Sequence, residues 1–188
     1  MKKSLLTLIS AAFFSLPIAY SQSFEVGTNE VSLGLGLGSS LGSFTTSGSL
    51  PSINLQYERG MWEAGQNGVI SLGGFLGFKH YSIDYAYYGF SSKSSINYTI
   101  IGLRSAYHYT GLSDKNWDLY GGAMISYSIA NVKYKDSTGS IGDNSAFGST
   151  ASFSIYAGAR YLFNEKFGTF AELGYGVSFL NLGVSMKF

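Results

Sequence analysis

The sequence predicts an all-β protein: an eight-stranded, antiparallel, up-and-down transmembrane β-barrel preceded by a cleaved signal peptide. Three observations lead there. The chain holds eight segments in which apolar residues alternate with small or polar ones. Its composition is rich in glycine and aromatics, with 25 Gly, 15 Tyr and 14 Phe, and only 12% of residues are charged, against about 25% in ordinary globular domains. Beyond the N-terminal leader, no apolar run approaches the roughly 20 residues that a helical membrane span requires. Alternation interleaves lipid-facing with lumen-facing residues, so a barrel is apolar overall without any long apolar run.

The leader occupies residues 1–21. Lys2 and Lys3 supply a positive start, Leu5 to Phe14 an apolar run, and Pro17 breaks it. Ala19-Tyr20-Ser21 then places small residues at the two positions a signal peptidase inspects. The expected mature chain, 22–188, is a single barrel domain starting at Gln22. Without its two leader lysines it is close to neutral, since the whole chain has 12 Lys+Arg and 11 Asp+Glu. That balance gives no electrostatic footprint for nucleic acid. With no cysteine and two histidines, neither disulfides, thiolate metal sites nor a multi-histidine metal site is expected, and no cofactor is.

The strands follow in order. The first alternates Val31, Leu33, Leu35 and Leu37 with serine and glycine. The second sets Ile53, Leu55 and Tyr57 against Asn54, Gln56 and Glu58, after Pro51 at its start, where a strand tolerates proline. The third carries Ile70, Leu72, Leu76 and Phe78, and the fourth Thr99, Ile101, Leu103, Tyr107 and Tyr109. The fifth runs from Trp117 through Leu119, Ala123, Ile125 and Tyr127 to Ile129. The sixth has Phe153, Ile155, Ala157, Tyr161 and Phe163, and the seventh Ala171, Leu173 and Tyr175. The eighth ends the chain with Leu180, Leu182, Val184, Met186 and Phe188. Most approach the roughly 9–11 residues a tilted strand needs to cross hydrocarbon.

With the N-terminus periplasmic, the extracellular connections are about 39–50, 80–96, 132–148 and 176–179. The periplasmic ones, about 59–68, 110–116 and 164–168, are mostly shorter, as outer-membrane barrels have them. Tyr57, Tyr107, Tyr109, Trp117, Tyr161, Phe163 and Phe188 fall near periplasmic strand ends, an interfacial girdle.

Alternation alone does not say which face is inside, and a soluble lipocalin is also an eight-stranded barrel. Here the polar parity is glycine and serine, suited to a narrow filled interior. A soluble surface would carry far more charge. The lipocalin Gly-x-Trp strand is also missing.

The last strand carries Asn181, Gly183, Met186 and Phe188 at the spacing polar-x-Gly-x-x-hydrophobic-x-aromatic. This ending resembles the assembly signal of bacterial outer-membrane barrels. From about residue 24 to 188 the chain is similar to the OmpA/OmpX-like outer-membrane β-barrel family. The resemblance implies location in the outer membrane, handling by the barrel-assembly machinery, and contact with outer-membrane lipid and lipopolysaccharide.

An eight-stranded barrel encloses just enough space for its own side chains. By parity the inward set includes Glu58, Arg104, Asp118, Arg160, Glu172 and Lys187. On the lipid face Arg or Lys near the midplane costs about 2–4 kcal/mol; inside, it can pair. The expectation is an ion-pair network in which Glu172 bridges Arg160 and Lys187 on neighbouring strands, with Arg104 joining. His108 is expected as an inward, hydrogen-bonded interior or rim residue.

Three functions are open to such a chain. A structural or interaction barrel, acting through its extracellular loops or as an accessory subunit of a larger outer-membrane complex, is the leading expectation. A narrow porin-like channel for small solutes is the alternative. The third is a lipid A-modifying hydrolase. His80-x-Ser82, with Asp84 behind, resembles the His-x-Ser element of PagL-like lipid A deacylases, where a histidine base activates a serine. The chain departs from that family in placing the element early and following the serine with Ile83, so the expectation is a non-enzyme. The tyrosine-rich second connection, with Tyr81, Tyr85, Tyr87, Tyr88 and Phe90, is an adaptable binding surface.

Overall fold

The computed structural model describes residues 24–38, 48–49, 51–87, 90–135, 141–144 and 149–188, with side chains except at 48–49, 82–94 and 132–144. The expected leader 1–21 and the cleavage point before Gln22 lie outside these residues. Ten strands follow in sequence: β1 (Asn29–Leu37), β2 (Gly48–Ser49), β3 (Ser52–Glu63), β4 (Gly68–Tyr87), β5 (Phe90–Tyr109), β6 (Trp117–Lys135), β7 (Ile141–Asn144), β8 (Thr150–Leu162), β9 (Phe167–Tyr175) and β10 (Leu180–Lys187). Eight of them form an antiparallel ring in chain order, β1-β3-β4-β5-β6-β8-β9-β10, which closes where β10 pairs with β1. The short β2 and β7 only extend it, pairing with β4 and β6. Closure gives every wall strand two neighbours, which hydrocarbon demands of backbone N–H and C=O groups.

Strict alternation of burial shows which parity faces where. Along β3 the pattern from Ser52 to Gly60 alternates buried and exposed without a break. The exposed set is the apolar one: Leu103, Ile125, Phe153 and Leu173 are each more than 60% exposed. The buried set is polar and includes Glu30, Asn54, Glu58, Arg104, Asp118, Arg160 and Glu172. Apolar outside and charged inside inverts the order of a soluble domain, and it is the order a bilayer requires.

One rim holds Phe24, Phe188 and the connections 64–67, 110–116 and 163–166, and we call it the near rim. Tyr57, Tyr107, Tyr109, Trp117, Phe163 and Phe188 are exposed around it, and Trp117 packs on Tyr161 at 5.1 Å. The N-terminal turn folds into this mouth. Gly27 N donates to Gly60 O and Gly60 N to Thr28 O, both at 2.9 Å. A Cβ on Gly60 would collide with the carbonyl of Glu25, so glycine is what lets the turn seat. Phe24 is thereby buried inside the barrel.

At the far rim the wall is uneven. β9 stops at Tyr175, β1 at Leu37, and β10 begins at Leu180, while β4 and β5 pair without a break out to Tyr87↔Phe90. β6 follows β5 as far as Lys135↔Lys93. Much of the expected loops 80–96 and 132–148 is therefore strand, a correction with an identifiable cause. Beyond Phe78 the apolar residues change parity. In β4, Tyr81, Ile83, Tyr85 and Tyr87 take lumen-parity positions, whereas His80, Ser82 and Asp84 take outward-parity ones. In β5 and β6, Ile96, Tyr98, Val132 and Tyr134 take lumen parity; Lys93, Ser95, Asn97, Asn131, Lys133 and Lys135 take outward parity. The period of two continues, but its phase flips, and a pattern search tracking one apolar face reads the flip as an end. Of the expected connection 39–50, residues 39–47 and 50 lie outside those described, and β2 falls within it.

Candidate functional site

The lumen is the one place where charged side chains converge among the described residues, and the strand register dictates how. Glu58 on β3, Gly73 on β4 and Arg104 on β5 stand in one row. Because Gly73 has no side chain, Arg104 crosses over it, and Nε lies 2.8 Å from Glu58 Oε1. The same device recurs on the other wall, where Gly158 separates Tyr120 from Glu172. The Tyr120 hydroxyl donates to Glu172 Oε1 at 3.0 Å across that gap. Arg104 then spans the lumen, with Nη2 2.6 Å from Glu172 Oε1. Its guanidinium lies 4.2 Å from the ring centre of Tyr156, a cation–π contact.

A second ionic spoke runs from Arg160. Nη1 lies 2.6 Å from Asp118 Oδ2 on the adjacent β6, and Nη2 pairs with Glu30 on β1 across the lumen. Asp118 also accepts from the His108 ring, with Nδ1 2.9 Å from Oδ1. The other ring nitrogen, Nε2, lies 3.1 Å from Ser71 Oγ and 3.8 Å from Glu58 Oε2. Phe24 stacks flat on this imidazole with ring centres 3.7 Å apart. Serine, histidine and aspartate thus stand in triad order, but all three are buried. Ser71 is also hydrogen-bonded to the backbone of Ala106.

The expected bridge of Glu172 to Arg160 and Lys187 is corrected. Glu172 takes Arg104, Tyr120 and Asn181, the last donating Nδ2–H to Oε2 at 3.0 Å. Arg160 faces Asp118 and Phe170 in register, two residues from the level of Glu172, so it meets Asp118 and Glu30 instead. Lys187 is half-buried and stands opposite Glu30 on β1. Sequence reasoning placed Arg104, Arg160, Glu58, Asp118 and Glu172 inside by parity. It missed Glu30, Tyr120 and Phe24, and it gave no role to Ser71, which shares the inward parity of the third segment. Glu30 shares the parity of Ser32 and was legible on that ground; Phe24 precedes any alternation and left no signal.

Above this cluster the lumen turns apolar. Phe75, Ile100, Met124 and Val177 form a packed layer with Tyr98 and Tyr156 against it. Val177 enters it from the 176–179 turn, where Gly176 has φ +128. Phe24 below and this layer above enclose the ionic cluster.

The other sequence-predicted residues are placed as follows. His80 on β4 faces Asn97 on β5, with Nδ1 2.7 Å from Oδ1. The side chains of Ser82 and Asp84 lie outside those described; in register they stand opposite Ser95 and Lys93. In the terminal motif, Asn181 is buried in the polar lumen and bonded to Asn54 at 2.9 Å. Gly183 faces Gly34 and Phe170 in register, and Met186 and Phe188 are exposed on the outer wall. Phe188 is tied to β1 by reciprocal backbone bonds with Asn29.

A closed antiparallel barrel, apolar outside and packed with ion pairs within, defines a transmembrane β-barrel of the outer-membrane type. Two similar solved structures are those of Ail, the attachment invasion locus protein of Yersinia pestis, one in complex with the heparin analogue sucrose octasulfate. Both are 13% identical and cover 86% of this chain; they match over 96% and 95% of their own length, with TM-scores of 0.46 and 0.44. No protein-family model matches the sequence, and no curated protein does.

Proposed function

We propose that this protein is an integral outer-membrane barrel with a periplasmic N-terminus, whose lumen is a structural plug and whose far rim is an interaction surface. The observation that carries the reading is the division of labour along the wall. About 9–11 residues suffice to cross hydrocarbon, yet β4 and β5 each run for 20. The surplus lies beyond the belt, on one side, as the continuous β4–β5–β6 sheet. None of its described side chains takes part in the ionic cluster of the lumen. The interior, by contrast, is crossed by buried ion pairs and an apolar layer, an arrangement for holding a wall together rather than passing solute. The ligand class is a protein or outer-membrane component met at the extracellular face, including lipopolysaccharide or a larger membrane complex.

The test replaces residues 82–95 with an Asn-Gly turn and compares affinity purification from native membranes, read by mass spectrometry, with the full-length barrel. The shortened barrel should assemble normally yet lose its stoichiometric partner. Equal recovery of the same partners by both would overturn the reading. So would robust ohmic conductance of the full-length protein in planar bilayers, which the channel alternative requires.

A further inference from the structure

Between the Arg104–Glu172 pair and the apolar layer lies a cavity of about 40 Å³. Its floor is Arg104, Glu172 and Asn181; its wall includes Ser154 and Ser178; its roof is Phe75, Met124 and Val177. Ser154 is 5% exposed, and its Oγ has no hydrogen-bond partner in the protein. A buried hydroxyl left without a partner costs about 1–3 kcal/mol. Packing does not fill the space, because Gly176 stands beside Ser154 and the 176–179 turn arches over it. Further bonding capacity faces the same void. Arg104 has five N–H donors, of which its bonds to Glu58 and Glu172 use two.

We propose that this cavity is a binding site for a small cluster of ordered water that joins Ser154 to the Arg104–Glu172–Asn181 floor. A water needs about 10–15 Å³ of such space and two to four polar partners, so the volume admits about three or four, and the lining supplies the partners. An apolar ligand would leave Ser154 and the floor unsatisfied. The cluster hydrates one side of a charge pair that is otherwise desolvated, lowering the cost of burying it. The apolar side chains of Phe75, Met124 and Val177 bound the water on the side away from the charge pair.

Water-to-protein magnetisation transfer, measured by NMR on the labelled barrel in nanodiscs, tests this. Long-lived water should give cross-peaks at both Ser154 and Asn181. The cross-peak at Asn181 should be lost in Ser154→Val, whose branched side chain takes the space. Should Ser154→Val fail to migrate as a folded, heat-modifiable species, Ser154→Ala, which removes only the hydroxyl, should weaken it. Absence of long-lived water at both residues in the folded wild type overturns the proposal. So does an Asn181 cross-peak that persists unchanged in the folded variant.

Discussion

Arg104 Nη2 lies 2.6 Å from Glu172 Oε1, joining β5 to β9 across the lumen with two strands of wall between them. Arg160 makes the matching span from β8 to Glu30 on β1. These two spokes cross-link walls that the backbone ladder joins only to their immediate neighbours. Breaking a buried pair from one side leaves an uncompensated charge, at about 3–5 kcal/mol. Glu172→Ala and Arg160→Ala should each lose stability of that order in urea unfolding from lipid vesicles. The conservative Glu172→Gln, whose one oxygen still accepts from Arg104 and Tyr120, should lose less.

The crossing of Arg104 to Glu58 depends on Gly73 between them. A Cβ there meets the backbone carbonyl of Tyr57, which moves only if β3 moves. At Gly158 a Cβ meets Tyr120 Cζ at 2.7 Å and Glu172 Cγ at 2.9 Å, side-chain atoms that can shift. Overpacking costs about 1–3 kcal/mol. Gly73→Ala should reach the top of that range or prevent folding, and Gly158→Ala should sit near the bottom. Folded yield and unfolding midpoint, measured side by side, check the order.

Phe24 closes the near mouth by stacking on His108. Phe24→Ala should cost about 3–5 kcal/mol, the usual price of a buried phenylalanine. It should also expose the imidazole. Diethylpyrocarbonate modification mapped by peptide mass spectrometry should find His108 protected in the wild type and modified in the variant, with His80 as the internal control. Bilayer conductance should stay absent in both, because the layer of Phe75, Ile100, Met124 and Val177 is intact.

Phe188 is exposed on the outer wall at the strand that closes the ring, bonded through its backbone to Asn29. Phe188→Ala keeps those backbone bonds. If the side chain serves recognition during assembly, the outer-membrane level should fall sharply in cells while refolding from urea into detergent micelles proceeds normally. A loss in both would instead place the side chain in barrel stability.

The faces of this barrel were legible in the sequence because a strand's period of two is a local property. Leu33 and Ser32 take opposite sides wherever the strand ends up. Leu103, Phe153 and Leu173 could be assigned to lipid, and Arg104, Arg160 and Glu172 to the lumen, without knowing any contact between them. Strand length was less legible beyond Phe78, where the alternation persists but its phase flips as the surroundings change.

The tertiary structure alone decided which inward charges meet. Partner choice depends on how strand register and tilt carry each residue around the ring, a long-range quantity with no local signature. Hence Arg160 meets Glu30, far away in the chain, and Glu172 takes Arg104 across the lumen. Phe24 has no alternating neighbours to announce it, and only the closed mouth gives it a place.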